Sequence, residues 1–273
     1  MKHSHDIGHR AKRSLGQNFL IDQSFIEKIV NAVNGGPGQV IFEIGPGRGA
    51  LTSKLAALGA EVIALEIDRV LVPILRSNFA ASSNVRIIEQ DALTADFGSL
   101  LGGFEPSIGN RPAVKLAANL PYYISTAVLQ ILAAQRGIFS ELVLMFQREV
   151  VDRLTAAPGT SDRGFLTVMA ESSFSIERLF DVPPHAFDPT PKVWSAVVRL
   201  TPKPGYQAEA ELRELISAGF AQKRKTIANN LRHVYPEYRF ALNEAGIDPK
   251  RRAEALSLNE WLRLHDVIRS IGP

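Results

Sequence analysis

The sequence predicts an α/β fold: a mostly parallel sheet covered by helices, with an antiparallel edge and a small helical domain at the C-terminus. Three observations carry this expectation. From residue 38 to 156, short and nearly continuous apolar runs alternate with amphipathic ones, the pattern of strands buried on both faces between crossover helices. Two further strand-like runs, 164–174 and 193–200, follow without a long helix between them, so they can pair antiparallel. Beyond the Pro/Gly linker "TPKPGY" (201–206), every periodic stretch reads as helix.

The elements follow in order. Residues 1–10 are polar and aperiodic and are expected to fray; their three histidines, with Asp6, are not expected to form a metal site. "QVIFEIG" (39–45) is the first strand of the repeating unit. In the helix that follows, Leu51, Leu55 and Leu58 fall at i, i+4 and i+7, with Gly59 as C-cap. Strands are expected at 60–68, 84–92, 113–120 and 141–147. Helices are expected at 69–80, at 125–135 with Ser125 or Thr126 as N-cap, and at 148–156. The C-terminal part reads as helices over 208–222, 224–234 and 257–270, the last opened by a Ser257/Glu260 capping box.

Composition sets limits on function. The 273 residues are 45% hydrophobic and 22% charged, an ordinary globular balance that supports a core. There is no cysteine, which excludes disulfides, thiolate metal sites and cysteine nucleophiles and fits a reducing cytoplasm. No apolar run is long enough to span a bilayer, and the N-terminus lacks a signal-peptide apolar region, so a cytoplasmic protein with no membrane partner is expected. Net charge is only +3, but basic residues cluster at Arg10, Lys12 and Arg13, at Lys223, Arg224, Lys225, Arg232 and His233, and at Lys250, Arg251 and Arg252. Each cluster alone can be a solvated helix face; three together tilt the reading toward a polyanionic partner.

The candidate site lies in the strand ends. "EIGPGRG" (43–49) places Gly45, Gly47 and Gly49 between a strand and a helix, where a ligand can lie against bare backbone. The spacing is G-x-G-x-G, not the G-x-G-x-x-G of a dinucleotide site. Glu66 ends the second strand, where a carboxylate can accept both hydroxyls of a ribose, and Asp91 ends the third, where one can accept from an adenine amine. Either acid alone reads as an exposed strand end; in register with the glycine loop they make a nucleoside pocket. The fourth strand end completes the row with Asn119, Leu120, Pro121 and Tyr122.

These motifs together resemble an S-adenosylmethionine-dependent methyltransferase acting on an exocyclic amine. "KRSLGQNFLID" (12–22), "FQREVVDRLTA" (146–156), "FDPTPKVWSAVVRL" (187–200), "FAQKRKTIANNL" (220–231) and "RRAEALSLNEW" (251–261) extend the likeness to the small-subunit rRNA adenine dimethyltransferases (KsgA/RsmA type) over nearly the whole chain. The departure is a longer connection, "GGFEPSIGNRPA" (102–113), which contains no motif residue.

The resemblance implies a Rossmann-like class I methyltransferase domain over 1–200, with residues 1–37 as lid segment and helix, and a helical rRNA-binding domain over 207–273. It implies S-adenosylmethionine as cofactor and no metal. The partner implied is small-subunit rRNA or an immature small ribosomal subunit, and a monomer is expected. The Asn119 side-chain oxygen and the Leu120 carbonyl, directed by Pro121, would accept from the target amine. Tyr122 would stack on the adenine, with Phe187 as the opposite face, although from the residues alone Phe187 reads as a core aromatic. Asn18 and Leu20 would lie over the cofactor beside Gly45, whereas Phe19 and Leu20 otherwise read as apolar anchors of the first helix. Lys223, Arg224, Lys225 and Arg232 would contact rRNA phosphates.

Three other readings share some of these features. A nicotinamide-dependent oxidoreductase would use the glycine loop and Glu66 but leave Asn119 to Tyr122 unexplained. A non-catalytic ribosome-assembly factor would keep the basic tail, and the large-subunit resistance methyltransferases share the core motifs.

Overall fold

The computed structural model describes residues 11–12, 15–102, 107–108, 111–112, 114–121, 124–203 and 210–271. In chain order, β1 (Phe19–Leu20) precedes α1 (Gln23–Val33), followed by β2 (Val40–Ile44), α2 (Ala50–Ala56), β3 (Glu61–Glu66) and α3 (Leu71–Asn78). Next come β4 (Val85–Glu89), the one-turn α4 (Phe97–Leu100), and a short hairpin of β5 (Ser107–Ile108) with β6 (Arg111–Pro112) inside the long connection. Then follow β7 (Val114–Asn119), α5 (Ser125–Ala134), β8 (Glu141–Gln147), α6 (Arg148–Leu154) and α7 (Phe165–Ser173). β9 (Phe174–Val182), β10 (Phe187–Asp188) and β11 (Ser195–Pro202) complete the strands. The chain ends in α8 (Ala210–Gly219), α9 (Ile227–Leu231), α10 (Tyr238–Glu244) and α11 (Leu258–Ile271).

The main sheet has strand order β4-β3-β2-β7-β8-β11-β9. β2 pairs in parallel with β3 on one side and β7 on the other, β3 with β4, and β7 with β8, while β11 runs antiparallel to β8. All five residues of β2 are buried, as expected of a central strand covered on both faces. The chain proceeds from β2 toward β4 and later returns to β2's other edge as β7. That reversal between β2 and β7 opens a crevice at the strands' C-terminal ends. Behind it, Phe42, Phe97 and Phe139 meet edge-on with centroids 5.1 to 6.3 Å apart, and burial of each such ring stabilises by about 1.5–3 kcal/mol.

Several local expectations are corrected. The run 164–174, read as a strand, is helix α7 followed by the first residue of β9. Seven of its nine helical residues are buried, so it shows no polar face, and its apolar run mimics a buried strand. The strand beside β11 is accordingly β9. Phe19 and Leu20 are not helical: they form β1, paired with Asp188 and Phe187 of β10. Helix α1 starts after Asp22, which accepts from the Ser24 N–H at 2.9 Å. Neither Ser125 nor Thr126 caps α5, whose N-cap is Ile124; the Ser125 hydroxyl instead donates to the Pro121 carbonyl at 3.4 Å. Helix α2 ends at Ala56, and Gly59 sits beyond its C-cap Ala57 at φ 81°. Lys223, Arg224 and Lys225 lie in the turn before α9, which Thr226 caps, rather than along a helix. Helix α10 was not anticipated.

The chain divides into two compact units, Met1–Val151 with Glu177–Pro202, and Asp152–Ile176 with Lys203–Pro273. The expected boundary at 200–207 therefore shifts: residues 152–176 pack with the C-terminal helices. The reason is partly Arg163, whose side chain is fully buried in the second unit. It pairs with both carboxylate oxygens of Glu171 at 2.9 and 2.7 Å and donates to the carbonyls of Leu256 at 3.1 Å and Ala156 at 3.0 Å. Such complete pairing offsets the desolvation of a buried guanidinium. In that unit Trp261 is fully buried and stacks on Phe220 at 5.7 Å. The Ser257/Glu260 capping box forms as expected, the Ser257 N–H donating to Glu260 at 2.8 Å and the Glu260 N–H to Ser257 Oγ at 3.3 Å.

Candidate active site

The loop after β2 turns on glycines in the left-handed region, Gly45 at φ 70° and Gly47 at φ 58°. At Gly47 a side chain is excluded twice, by this φ and because a Cβ would stand 2.8 Å from the Phe19 ring. The Gly47 N–H donates to Glu66 Oε2 at 3.2 Å, so the loop is tied to the end of β3. Glu66 is buried, and its Oε1 accepts from the Asp68 N–H at 2.8 Å. Burial raises its pKa, opposed by these two backbone donors. Each oxygen keeps a further lone pair for a ligand hydroxyl.

Asp91 follows β4 and caps a short 3₁₀ turn, Ala92–Thr94, by accepting from the Leu93 N–H at 2.9 Å through Oδ1. Oδ2 takes no part in that cap. At the end of β7, the Asn119 Nδ2 donates to the Asn18 carbonyl at 3.1 Å. That bond fixes the orientation of the amide and leaves Oδ1 as an acceptor. The Leu120 N–H donates to the Met145 carbonyl at 3.2 Å, holding the turn against β8.

These residues converge. A cavity of about 370 Å³ is lined by Asn18, Leu20, Gly45, Gly47, Glu66, Asp91, Asn119, Leu120 and Pro121, all of them expected from the sequence. Its volume is typical of small-molecule sites. Phe187 is not brought to it: its ring is 2% exposed within the core cluster around Ile26 and Val197. Its reading as a core aromatic describes this conformation, because Leu20 lies opposite it in the β1–β10 ladder. Tyr122 lies outside the described residues, as do Arg10, Arg13 and positions 204–206 of the expected linker.

Sequence reasoning missed three residues, Glu43, Asp68 and Arg48. Glu43 lines the same cavity with its Oε2 buried and without a hydrogen-bond partner among the described residues; burial pushes its carboxyl up to about 8. Asp68, only 1% exposed, accepts from Lys12 Nζ at 2.6 Å, Gln17 Nε2 at 2.9 Å and the Val70 N–H at 3.0 Å. Burial alone would raise its pKa, but those donors hold it below the usual carboxylate range. Arg48 lies over the Phe19 ring at 4.5 Å and pairs with Asp188 at 2.9 Å. Lys12 and residues 15–20 are thus fastened beside the cavity at Asp68, at Asn119 and at β10. An acid two residues after Glu66, and the polar residues of "KRSLGQN", were the available signals for this fastening.

In the second unit Lys223, Arg224, Lys225 and Arg232 are exposed. Lys223 donates to the Ser161 carbonyl at 3.0 Å, and Arg232 to His233 at 2.8 Å. Arg251 differs, since it is paired internally with Glu260 and draws that carboxyl down to about 2. Among the described residues no group of three or more acidic or histidine side chains is placed to hold a metal ion. No described helix is long and apolar enough to cross a membrane.

The family model "Ribosomal RNA adenine dimethylase" matches residues 8–270. The chain is 43% identical over 271 residues to the "Ribosomal RNA small subunit methyltransferase A" of Hahella chejuensis, covering 98% of this chain and 96% of that one. Among solved structures, a dimethyladenosine transferase from Plasmodium falciparum superposes with a TM-score of 0.75 at 26% identity, over 90% of this chain and 95% of that one. The 23S rRNA methyltransferase ErmE does so with a TM-score of 0.67, also at 26% identity, over 92% and 100%. A sheet whose strand ends carry Gly45, Glu66, Asp91 and Asn119 in one cavity, joined to near full-length identity, places this chain in the ribosomal RNA adenine dimethylase family.

Proposed function

We propose that this protein methylates the exocyclic amine of adenosines in small-subunit rRNA during ribosome biogenesis, dimethylating two adjacent adenosines near the 3′ end. The carrying observation is the fixed Asn119 amide, which presents Oδ1 beside the nucleoside cavity. The curated relative's name supports the small subunit over the large one.

The residues present fit S-adenosylmethionine. Glu66 and Asp91 offer carboxylates for a ribose and an adenine, and the backbone at Gly45 and at Gly47 offers a surface without side chains. When bound, the cofactor supplies a methyl group activated by a sulfonium. The protein's own work is done at the acceptor nitrogen. An aryl amine is a weak nucleophile because its lone pair is delocalised, and it gains positive charge as it reacts. Asn119 Oδ1 and the Leu120 carbonyl accept its two hydrogens, which directs the lone pair and stabilises that charge without placing a net negative charge there. The proton leaves once the nitrogen is cationic, so no strong base is needed. A singly methylated amine retains one hydrogen, and either acceptor can hold it for a second transfer.

The test is methyl transfer from labelled S-adenosylmethionine to unmethylated small and large subunits. Label in small-subunit rRNA alone supports the reading; label confined to large-subunit rRNA, or none, contradicts it.

A further inference from the structure

Across the sheet, the ends of β4, β3, β2 and β7 carry Asp91, Glu66, Gly45 and Asn119 in that order. The row does not stop at Asn119. Gln147 ends β8 and is paired with Ser195, the first residue of β11, so Trp194 stands directly at this same edge. The Trp194 carbonyl accepts the Arg148 N–H at 2.9 Å, which fixes the backbone there to the end of β8. With strands about 4.8 Å apart, Trp194 is roughly 10 Å along the row from Asn119.

Its side chain is 46% exposed and that of the adjacent Val193 42%, whereas the other tryptophan, Trp261, is fully buried. Single exposed apolar residues are ordinary. This one is a large ring on a hydrogen-bonded backbone, beside the catalytic edge, with the exposed cation Lys192 two residues before it in the chain; Arg148, bonded to its carbonyl through the backbone, has its side chain paired with Asp181 at 3.9 Å. An exposed flat ring with a lysine close by in the chain is the chemistry that holds an unpaired nucleotide, with base on ring and phosphate on cation.

We propose that Trp194 is a stacking platform for an unpaired base flanking the target adenosine, extending the RNA seat beyond Asn119. This rests on the rRNA-methylating function above. Flipping an adenosine unstacks its neighbours, and a second platform holds the strand while the target occupies the cavity. Trp194 is not among the residues that line the cofactor cavity, so its contribution is expected on RNA binding and not on cofactor affinity.

The experiment compares wild type with Trp194→Phe, Trp194→Leu and Trp194→Ala, using unmethylated small subunits. The KM for subunits, kcat, the calorimetric Kd for S-adenosylmethionine and the melting temperature are measured for each. Alanine and leucine are expected to raise KM about 5- to 150-fold, phenylalanine to stay within about threefold, and the other quantities to hold. An unchanged KM for Trp194→Ala overturns the proposal. Leucine performing as well as phenylalanine overturns it too, since an apolar contact with a protein would then suffice. A KM rise matched by lost cofactor affinity and melting temperature, without rescue by phenylalanine, assigns the ring to fold support. A wild type that transfers no methyl group refutes the function itself, whereas an active wild type with an indifferent Trp194→Ala refutes only this inference.

Discussion

The side-chain amide of Asn119 donates to the backbone carbonyl of Asn18 at 3.1 Å, joining the end of β7 to a segment 101 residues earlier. One bond therefore does two things. It aims the amide oxygen as an acceptor, and it fastens the N-terminal segment across the cavity. Residues assigned separately to catalysis and to cofactor cover are mechanically one site.

Glu66 binds the Gly47 N–H and the Asp68 N–H while lining the cavity. Glu66→Gln keeps the shape but removes the charge, and a hydrogen bond to a charged group contributes about 1.5–3 kcal/mol. Cofactor Kd measured by calorimetry is expected to rise about 10- to 150-fold. An unchanged Kd removes Glu66 from the ribose role.

Lys12 holds the buried Asp68 at 2.6 Å, with Gln17 as the second donor. Lys12→Met leaves that carboxylate with Gln17 and a backbone N–H, which loosens the segment without emptying the site. Stopped-flow dissociation of cofactor is expected to quicken about tenfold, with little change in the association rate. Equal dissociation rates in both proteins would mean that the segment does not limit release.

Glu43 links stability to pH. Its carboxyl is raised by burial from 4.5 to about 8 in the folded protein, so the folded state holds a proton that the unfolded chain releases earlier. That contribution is fully present below pH 4.5 and declines as pH rises toward about 8. Denaturant unfolding across this range is expected to show falling stability in wild type and a flatter profile in Glu43→Gln. Identical profiles contradict a buried, protonated Glu43.

Arg224 and Lys225 are exposed in the turn before α9. If each neutralises one phosphate, replacing both with glutamine reduces the slope of log affinity against log salt by about 1.5–2. The check is RNA binding at several salt concentrations. An unaltered slope assigns them to a solvated surface.

Most of this site could be read from the chain because chemistry at strand ends leaves local marks. Gly47 needs its left-handed φ, Glu66 and Asp91 follow apolar strands, and Asn119 precedes Pro121. What escaped were features that depend on distant partners. Asp68 looks like a surface acid until Lys12 and Gln17 cover it, and Glu43 looks like part of a strand until burial orphans an oxygen. Helix α7 was misread because its burial on nearly every side erases the helical period. Arg163 carries no signal in sequence at all, yet it ties residues 152–176 to the C-terminal helices through the Leu256 carbonyl, with Glu171 balancing its charge within the segment.

The most direct measurement is nucleoside analysis of unmethylated small subunits after incubation with S-adenosylmethionine and either wild type or Asn119→Ala. Wild type is expected to yield N6,N6-dimethyladenosine. Asn119→Ala is expected to lose at least about a hundredfold in kcat while its cofactor Kd rises only a few-fold, the loss of one neutral hydrogen bond. Dimethyladenosine formed at the wild-type rate by Asn119→Ala would contradict the account.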